Sequence, residues 1–365
     1  MRKMSGKGIG YGIFICLGGL LLLLAVGAII TVGAQQAPRI MTVLECPMGC
    51  GAIEGYTIFG SYAAKEHPWL ALQVQETPGY LYNIREIAKN KNRWKNTAAG
   101  TEDTVVQLFY HGGKEEVKEF YPEPIKIPWK FLYGETWWTQ GMWLVTLDPK
   151  IKTPADMKGK RIGLGLRTQS DWGADARIFL ETAYGITSKN AEIRHLGPVA
   201  ASEAMLDGKV DIVTMGMGTD AEFKNWMIAG PFKLLEASGR KLYFVGISKE
   251  AVDKVNKRYK TTYQSVMVPK GTLKGQEAEF LAGVDRGYIG VHPEFAEDLA
   301  YEFTKLMLKL RPRMAEVHAQ WKTMTDLTIV HGLTEQNCHP GAMKALKEAG
   351  LWDLAKKTPP VTYPE

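Results

Sequence analysis

The sequence predicts an α/β protein of two lobes, each a mixed sheet flanked by helices. Apolar runs of strand length alternate with segments of helical period from Ile40 to Ala349, the order that builds layered α/β domains. Several strand-to-helix turns are short and rich in Gly, Thr, Ser and Asn. The chain has 365 residues, 45% hydrophobic and 23% charged, enough to bury two cores.

The first segment differs from the rest. Arg2, Lys3 and Lys7 precede an apolar run over residues 13–32, and Val32, Gly33 and Ala34 offer small residues before Gln35. This is the pattern of export across a bacterial membrane. The run is about 20 residues, long enough to span a bilayer, so residues 1–34 read either as a removed signal peptide or as an anchor retained on residues 13–32. The expected location is the periplasm, free or tethered. Of 45 basic and 39 acidic side chains, three basic and no acidic ones lie in residues 1–34. The remainder is close to neutral and gives no footing for nucleic-acid binding.

In chain order, residues 40–44 form a short strand leading into a Gly-rich loop with Cys46 and Cys50; residues 56–65 read as helix and 69–75 as an alternating strand. Thr77 and Pro78 suit the N-cap and first position of a helix carrying Ile84, Ile87 and Ala88. Residues 96–99 follow as a strand, Thr101 opens a further helix, and residues 112–128 form a charged connection. Residues 129–133 and 141–147 read as two strands, with Trp137 and Trp138 between them either packing an interface or walling a pocket.

A second unit begins at Lys150. It contains a strand over residues 161–164, a turn over 165–173, helices over 174–184 and 200–207, and a strand over 210–215. The turn holding Thr219 and Asp220 leads to a helix expected over 221–228, with strand candidates at 233–236 and 242–245 and a basic helix at 249–259. Residues 262–268 return, extended, to the first unit. A long helix follows Pro293, with Phe295, Leu299, Phe303, Leu306 and Leu310 on one face. The expected lobes are residues 35–139 with 259–365, and residues 140–258, and a ligand would sit between them at the carboxyl ends of the strands.

The turn over 165–173 centres the expected site. Ala176, Phe179, Leu180 and Ala183 give the following helix a buried stripe, with Asp175, Arg177 and Glu181 facing outward and Ser170 or Asp171 as a cap. Unpaired N–H groups beside Arg167, Thr168, Gln169 and Ser170 outline an anion receptor in which Arg167 clamps a carboxylate. The alternative is a plain connecting turn with a solvated arginine. Gly163-x-Gly165-x-x-Thr168 lacks the third glycine of a dinucleotide fingerprint.

Beyond residue 34 the cysteines are Cys46, Cys50 and Cys338. Cys46 and Cys50 can close a small loop, Cys338 beside His339 has metal-ligand chemistry without a fourth strong ligand, and the odd count also permits a buried thiol. No metal and no cofactor is expected.

By order and spacing over most of residues 38–353, the chain resembles the solute receptors of the TAXI branch of tripartite ATP-independent periplasmic (TRAP) transporters. The resemblance is carried by Asp156-x-x-Gly159-Lys160-Arg161, by the turn from Gly165 to Ser170, by the run from Ala204 to Asp211, and above all by His339-Pro340-Gly341-Ala342 followed by Glu348-x-Gly350. It implies a two-lobed periplasmic binding protein of type II-like fold that closes on a small organic acid and delivers it to membrane permease subunits. Its ligand loops fall on Gly51 and Tyr56, on Thr77, Tyr80 and Asn83, on Arg167, Thr168, Gln169 and Ser170, with Trp138 and Thr219 nearby. Tyr80 stands where the family has serine, and Gln169, Asp171 and Trp172 where it has small or hydroxyl residues. With Tyr82, Trp137 and Trp138, these aromatics point to a larger or aromatic carboxylate.

An enzyme is the rival class. The sequence lacks Gly-x-Ser-x-Gly, His-Glu-x-x-His and a phosphate loop, and its seven histidines are scattered. No catalytic activity is expected, and a membrane-anchored sensor or adaptor remains the other alternative.

Overall fold

The structure, a computed structural model, describes residues 38–361 apart from residues 115, 116, 140 and 141. The apolar run at residues 13–32 and the cleavage site before Gln35 lie outside the described residues. The strands are β1 (Arg39–Leu44), β2 (Leu70–Gln75), β3 (Thr97–Glu102), β4 (Lys130–Trp138), β5 (Leu144–Thr146), β6 (Arg161–Leu164), β7 (Glu192–His195), β8 (Ile212–Thr214), β9 (Met217–Thr219), β10 (Trp226–Ile228), β11 (Tyr243–Val245), β12 (Gln264–Val268) and β13 (Phe280–Val291).

They form two sheets. The larger runs β10-β9-β4-β13-β3-β1-β2, with β12 paired to the first part of β13; the smaller runs β11-β5-β8-β6-β7. β1 is parallel to β2 and β3, and β6 to β7 and β8, whereas β4, β13, β5 and β11 pair antiparallel. Both sheets are therefore mixed. Helices supply the crossovers that parallel pairs require, among them Gly51–Glu66 between β1 and β2, and Asp175–Tyr184 between β6 and β7.

Helix Gly51–Glu66 forms because Ile53, Tyr56, Phe59 and Ala63 recur at helical spacing and are buried together. Phe59 stacks on Trp321 at 5.1 Å between ring centroids and meets Phe303 edge-on at 5.8 Å, which fastens the helix to Glu297–Val317. Burial of each such ring contributes about 1.5–3 kcal/mol. The motif around His339 serves the same core. His339 caps helix Pro340–Glu348 through Gly341 N (3.3 Å), and its other ring nitrogen lies 3.1 Å from the Phe295 carbonyl. Cys338 is a buried free thiol, and among the described residues no group of three or more His, Cys, Asp or Glu is arranged to hold a metal ion.

Four elements differ from expectation. The first of the two strands expected over 129–147 runs on through residues 130–138 as β4, taking in Trp137 and Trp138, and the second is the shorter β5. The helix expected over 221–228 is a turn followed by β10, because the Asp220 carboxylate captures the N–H groups of Glu222 (3.0 Å), Lys224 (2.9 Å) and Asn225 (3.1 Å), a local bond that competes with helix formation. Residues 233–236 belong to helix Gly230–Ala237, which Pro231 starts. Asp175 and Arg177 are buried rather than outward-facing; Arg177 is paired with Glu181, and Asp175 points into the acidic run described below. β13, the longest strand, escaped the hydrophobic pattern because Gly283, Asp285, Arg286, Gly287 and Gly290 interrupt it.

Candidate functional site

Two turns meet across the gap between the sheets. One carries Thr77, Pro78 and Gly79 from β2 into helix Tyr80–Lys89. The other leads from β6 through Gln169 into a wide helical turn, Ser170–Ala174, where Ala174 N donates to the Gln169 carbonyl five residues back (2.9 Å). Thr168 Oγ1 donates to the Pro78 carbonyl (2.7 Å), and Leu81 N donates to the Thr168 carbonyl (3.1 Å). Gly79 has φ 138°, and a Cβ there would collide with the Thr168 carbonyl, so only glycine permits this approach.

Beside this contact lies a cleft of about 10 Å³, the room of about one water molecule. Cys46, Cys50, Gly79 and Tyr80 wall it on the larger sheet's side; Gln169, Ser170, Asp171 and Trp172 wall it on the smaller sheet's side. Cys46 and Cys50 are joined by a disulfide, with Cα atoms 6.1 Å apart.

Of the residues expected at the site, Tyr80, Gln169 and Ser170 line this cleft. Thr77 and Asn83 hold it from behind. Thr77 Oγ1 donates to the Glu45 carbonyl, and Asn83 Nδ2 donates to the carbonyls of Leu44 (3.2 Å) and Glu45 (3.0 Å). Thr168 has its hydroxyl committed to Pro78. Gly51 opens its helix against Met227. Tyr56 is buried with its hydroxyl 3.2 Å from that of Tyr133. Trp138 packs with Tyr80 and the disulfide, and Thr219 pairs with Trp137 and Trp226 within the larger sheet.

Arg167 requires correction. Its side chain is 57% exposed and paired with Glu119, away from the lining of the cleft. With Thr168 and Gln169 fixed inward by hydrogen bonds, the residue before them is left facing solvent. The anion-receiving N–H groups are also engaged: Leu81 N by Thr168, Leu166 N by Gln169 Oε1 (2.9 Å), and Trp172 N by Asp171 Oδ1 (2.8 Å).

What the site holds instead is acceptors. Glu45 follows β1, Glu102 ends β3, Glu135 lies in β4, Asp285 in β13, and Asp171 and Asp175 follow β6; all are buried. Neither oxygen of Glu45, Glu102 or Asp175 has a hydrogen-bond partner of good geometry, and the same holds for Glu135 Oε2, Asp285 Oδ1 and Ser170 Oγ. The Tyr80 ring and the Glu45 carboxylate converge over Gly100, where a Cβ would lie 2.7 Å from Tyr80 Cε1 and 2.8 Å from Glu45 Oε2.

Burial is the first cause that raises each of these carboxyls. It pushes Glu135 and Asp175 up to about 7, the nearby Tyr56 and Tyr263 hydroxyls pulling them partway back, and Asp171 up to about 8 with repulsion from Asp175 added. Glu45 beside Glu135, Glu102 beside Asp171, and Asp285 beside Asp175 are held well above the usual carboxylate range. Arg286, a cation packed into this run, is already bound to Asp103, Nη2 and Nε reaching Oδ2 at 2.6 and 2.7 Å.

A model of the NMT1-like family matches residues 65–350. The chain belongs to the NMT1-like family. Among solved structures, the NMT1-like chain is similar to the periplasmic aliphatic sulphonate binding protein SsuA from Escherichia coli, at 12% identity over 89% of this chain and 80% of that one, with a TM-score of 0.38. It is also similar to PhnD1 from Prochlorococcus marinus in complex with methylphosphonate, at 8% identity over 86% and 99% of the two chains, TM-score 0.45. A third is R. palustris Rpa4515 with adipate, at 10% identity over 87% and 98%, TM-score 0.44. At these values nothing about the ligand transfers, and the two-sheet α/β architecture of the NMT1-like chain stands on its own strand pairings.

The acids Glu45, Glu102, Glu135 and Asp285 were not legible as site residues. Glu45 and Glu102 do carry one signal, an acidic residue directly after an apolar or small-residue strand, at the end where α/β sheets bind ligands.

Proposed function

We propose that this chain is an extracytoplasmic solute-binding receptor that captures a small polar ligand between its two sheets and passes it to membrane permease subunits of a TRAP-type transporter. The observation that carries the reading is the contact of the Pro78–Gly79 turn with the Thr168–Gln169 turn beside a polar cleft, at the carboxyl ends of β1, β2, β3 and β6. The likeness to TAXI receptors in order and spacing supplies the permease.

A disulfide in the cleft wall and the apolar segment before it suit an oxidising compartment, so the receptor works in the periplasm, free or tethered by residues 13–32. The lobes expected from the sequence are residues 35–139 with 259–365, and residues 140–258; β9 and β10, from the second range, pair in the larger sheet. Closure brings them together around the ligand without covalent chemistry. An organic acid, the ligand expected from the sequence, would be held without Arg167 and by N–H groups that closure itself occupies.

A thermal-shift screen of the purified protein against a library of acids, amines and neutral solutes tests this. A receptor gives a hit whose shift grows as RT ln(1 + [L]/Kd), with a smaller radius of gyration in its presence. No stabilising compound across the library would overturn the reading.

A further inference from the structure

The charge inside the cleft selects its ligand more sharply than its shape does. Asp171 lines the cavity; Glu45 and Glu102 do not line it but lie behind it, Glu45 against Tyr80 and Glu102 against Ser170. Ser170 is 1% exposed, lines the cavity, and its Oγ has no partner of good geometry. Tyr80 and Trp172 supply aromatic surface from the two sides of the cleft, with Trp138 packed behind Tyr80.

Buried carboxylates beside aromatic rings form the environment an ammonium group requires: acceptors for its N–H donors and ring faces for its charge. A metal ion fits less well, because among the described residues no three such donors converge on one point. The enclosed volume, about 10 Å³, matches a group of about the size of water, such as a primary ammonium.

Resting on the receptor reading above, we propose that the cleft recognises its ligand through a primary ammonium group set between Tyr80, Trp172 and the Asp171 carboxylate, with Glu45 and Glu102 adding negative charge from behind the wall. The remainder of the ligand extends into the gap that opens when the Pro78 and Thr168 turns part. The ionisable groups facing Asp171 are Asp175, Glu102, Asp285 and Tyr80, and those facing Glu45 are Glu135, Tyr80, Tyr56 and Tyr133. Arg286 offers no competing cation because Asp103 holds it. Ligand binding and carboxyl ionisation are therefore linked, and affinity for an amine rises with pH until the amine itself loses its proton.

The test is a thermal-shift and calorimetric series on the purified full-length protein with propylamine, 1,4-diaminobutane, propionate, succinate, calcium chloride and magnesium chloride, at pH 6 and pH 8.5. The expected result is stabilisation by an amine, at least fivefold tighter at pH 8.5 than at pH 6, and at least tenfold weaker in Asp171→Asn and Glu45→Gln. Both variants remove a buried acid, so without ligand they melt at or above wild type at pH 8.5, which separates lost binding from lost folding. Stabilisation by propionate or succinate alone, or by calcium or magnesium alone, overturns the ammonium assignment and leaves the receptor standing. An amine bound equally by wild type and both variants also overturns it. No shift with any probe overturns the assignment, and the receptor reading falls only if the wider library is silent too.

Discussion

Thr168 donates its hydroxyl to the carbonyl of Pro78 across 2.7 Å, joining the turn after β6 to the turn after β2. The bond couples two sheets rather than two neighbours in sequence, so its loss acts on closure. Thr168→Val keeps the shape and removes the donor, at a cost of about 1 kcal/mol. The expected outcome is ligand affinity about fivefold weaker with an unchanged urea midpoint in the absence of ligand; an unchanged affinity would mean that the turns meet without need of the bond.

Gly79 admits no side chain at that same contact. Alanine there has both an unfavourable φ and a collision with the Thr168 carbonyl, a strain of about 1–3 kcal/mol. Gly79→Ala is expected to hold the protein open, giving a larger radius of gyration by small-angle scattering and affinity weakened more than in Thr168→Val.

The buried acids set the dependence of stability on pH. Asp171 rises to about 8 and Asp175 and Glu135 to about 7 in the folded protein, while in the unfolded chain they titrate near 4. Between those values the native state binds more protons than the unfolded state, so stability falls as pH rises. Urea midpoints measured at pH 5, 6.5 and 8 should therefore decrease in that order, and Asp171→Asn should flatten the slope. A midpoint that rises over this range would show that these carboxyls are not held protonated.

Arg286 and Asp103 are nearly inaccessible, with side chains 4% and 1% exposed. Arg286→Met strands a buried charge, and the cost of breaking such a pair from one side is about 3–5 kcal/mol. Adding Asp103→Asn to that variant should recover part of the loss. A double variant no more stable than the single one would place the cost in packing instead.

Arg167 gives the opposite expectation. As a 57% exposed partner of Glu119, it is worth at most about 1 kcal/mol. Arg167→Ala should bind the screened ligand within twofold of wild type, and a tenfold loss would return the guanidinium to the cleft.

The α/β order, the long helix Glu297–Val317 and the turn at Gly165–Gly173 were legible because apolar period and turn residues are local properties. The resembling motifs were legible too, yet several support the scaffold: His339 caps a helix, and Asp211 holds Arg161 by its N–H (2.8 Å) and its guanidinium (2.5 Å). What was not legible is charge at a distance. Glu45, Glu135 and Asp171 lie far apart in sequence and look like ordinary acids until β1, β4 and the turn after β6 bring them within electrostatic reach of Tyr80. Arg167 was misplaced for the related reason that residue type does not reveal which way a turn presents it.

The Cys46–Cys50 link closes a ring of so few residues that it restrains the denatured chain only weakly, by about 2 kcal/mol. Its influence is local, pinning the segment just past Glu45 to the first turn of helix Gly51–Glu66. Material produced in a reducing cytosol would thus lose little stability while presenting a slacker cleft wall, and binding constants from such preparations would differ from those of the disulfide-linked protein.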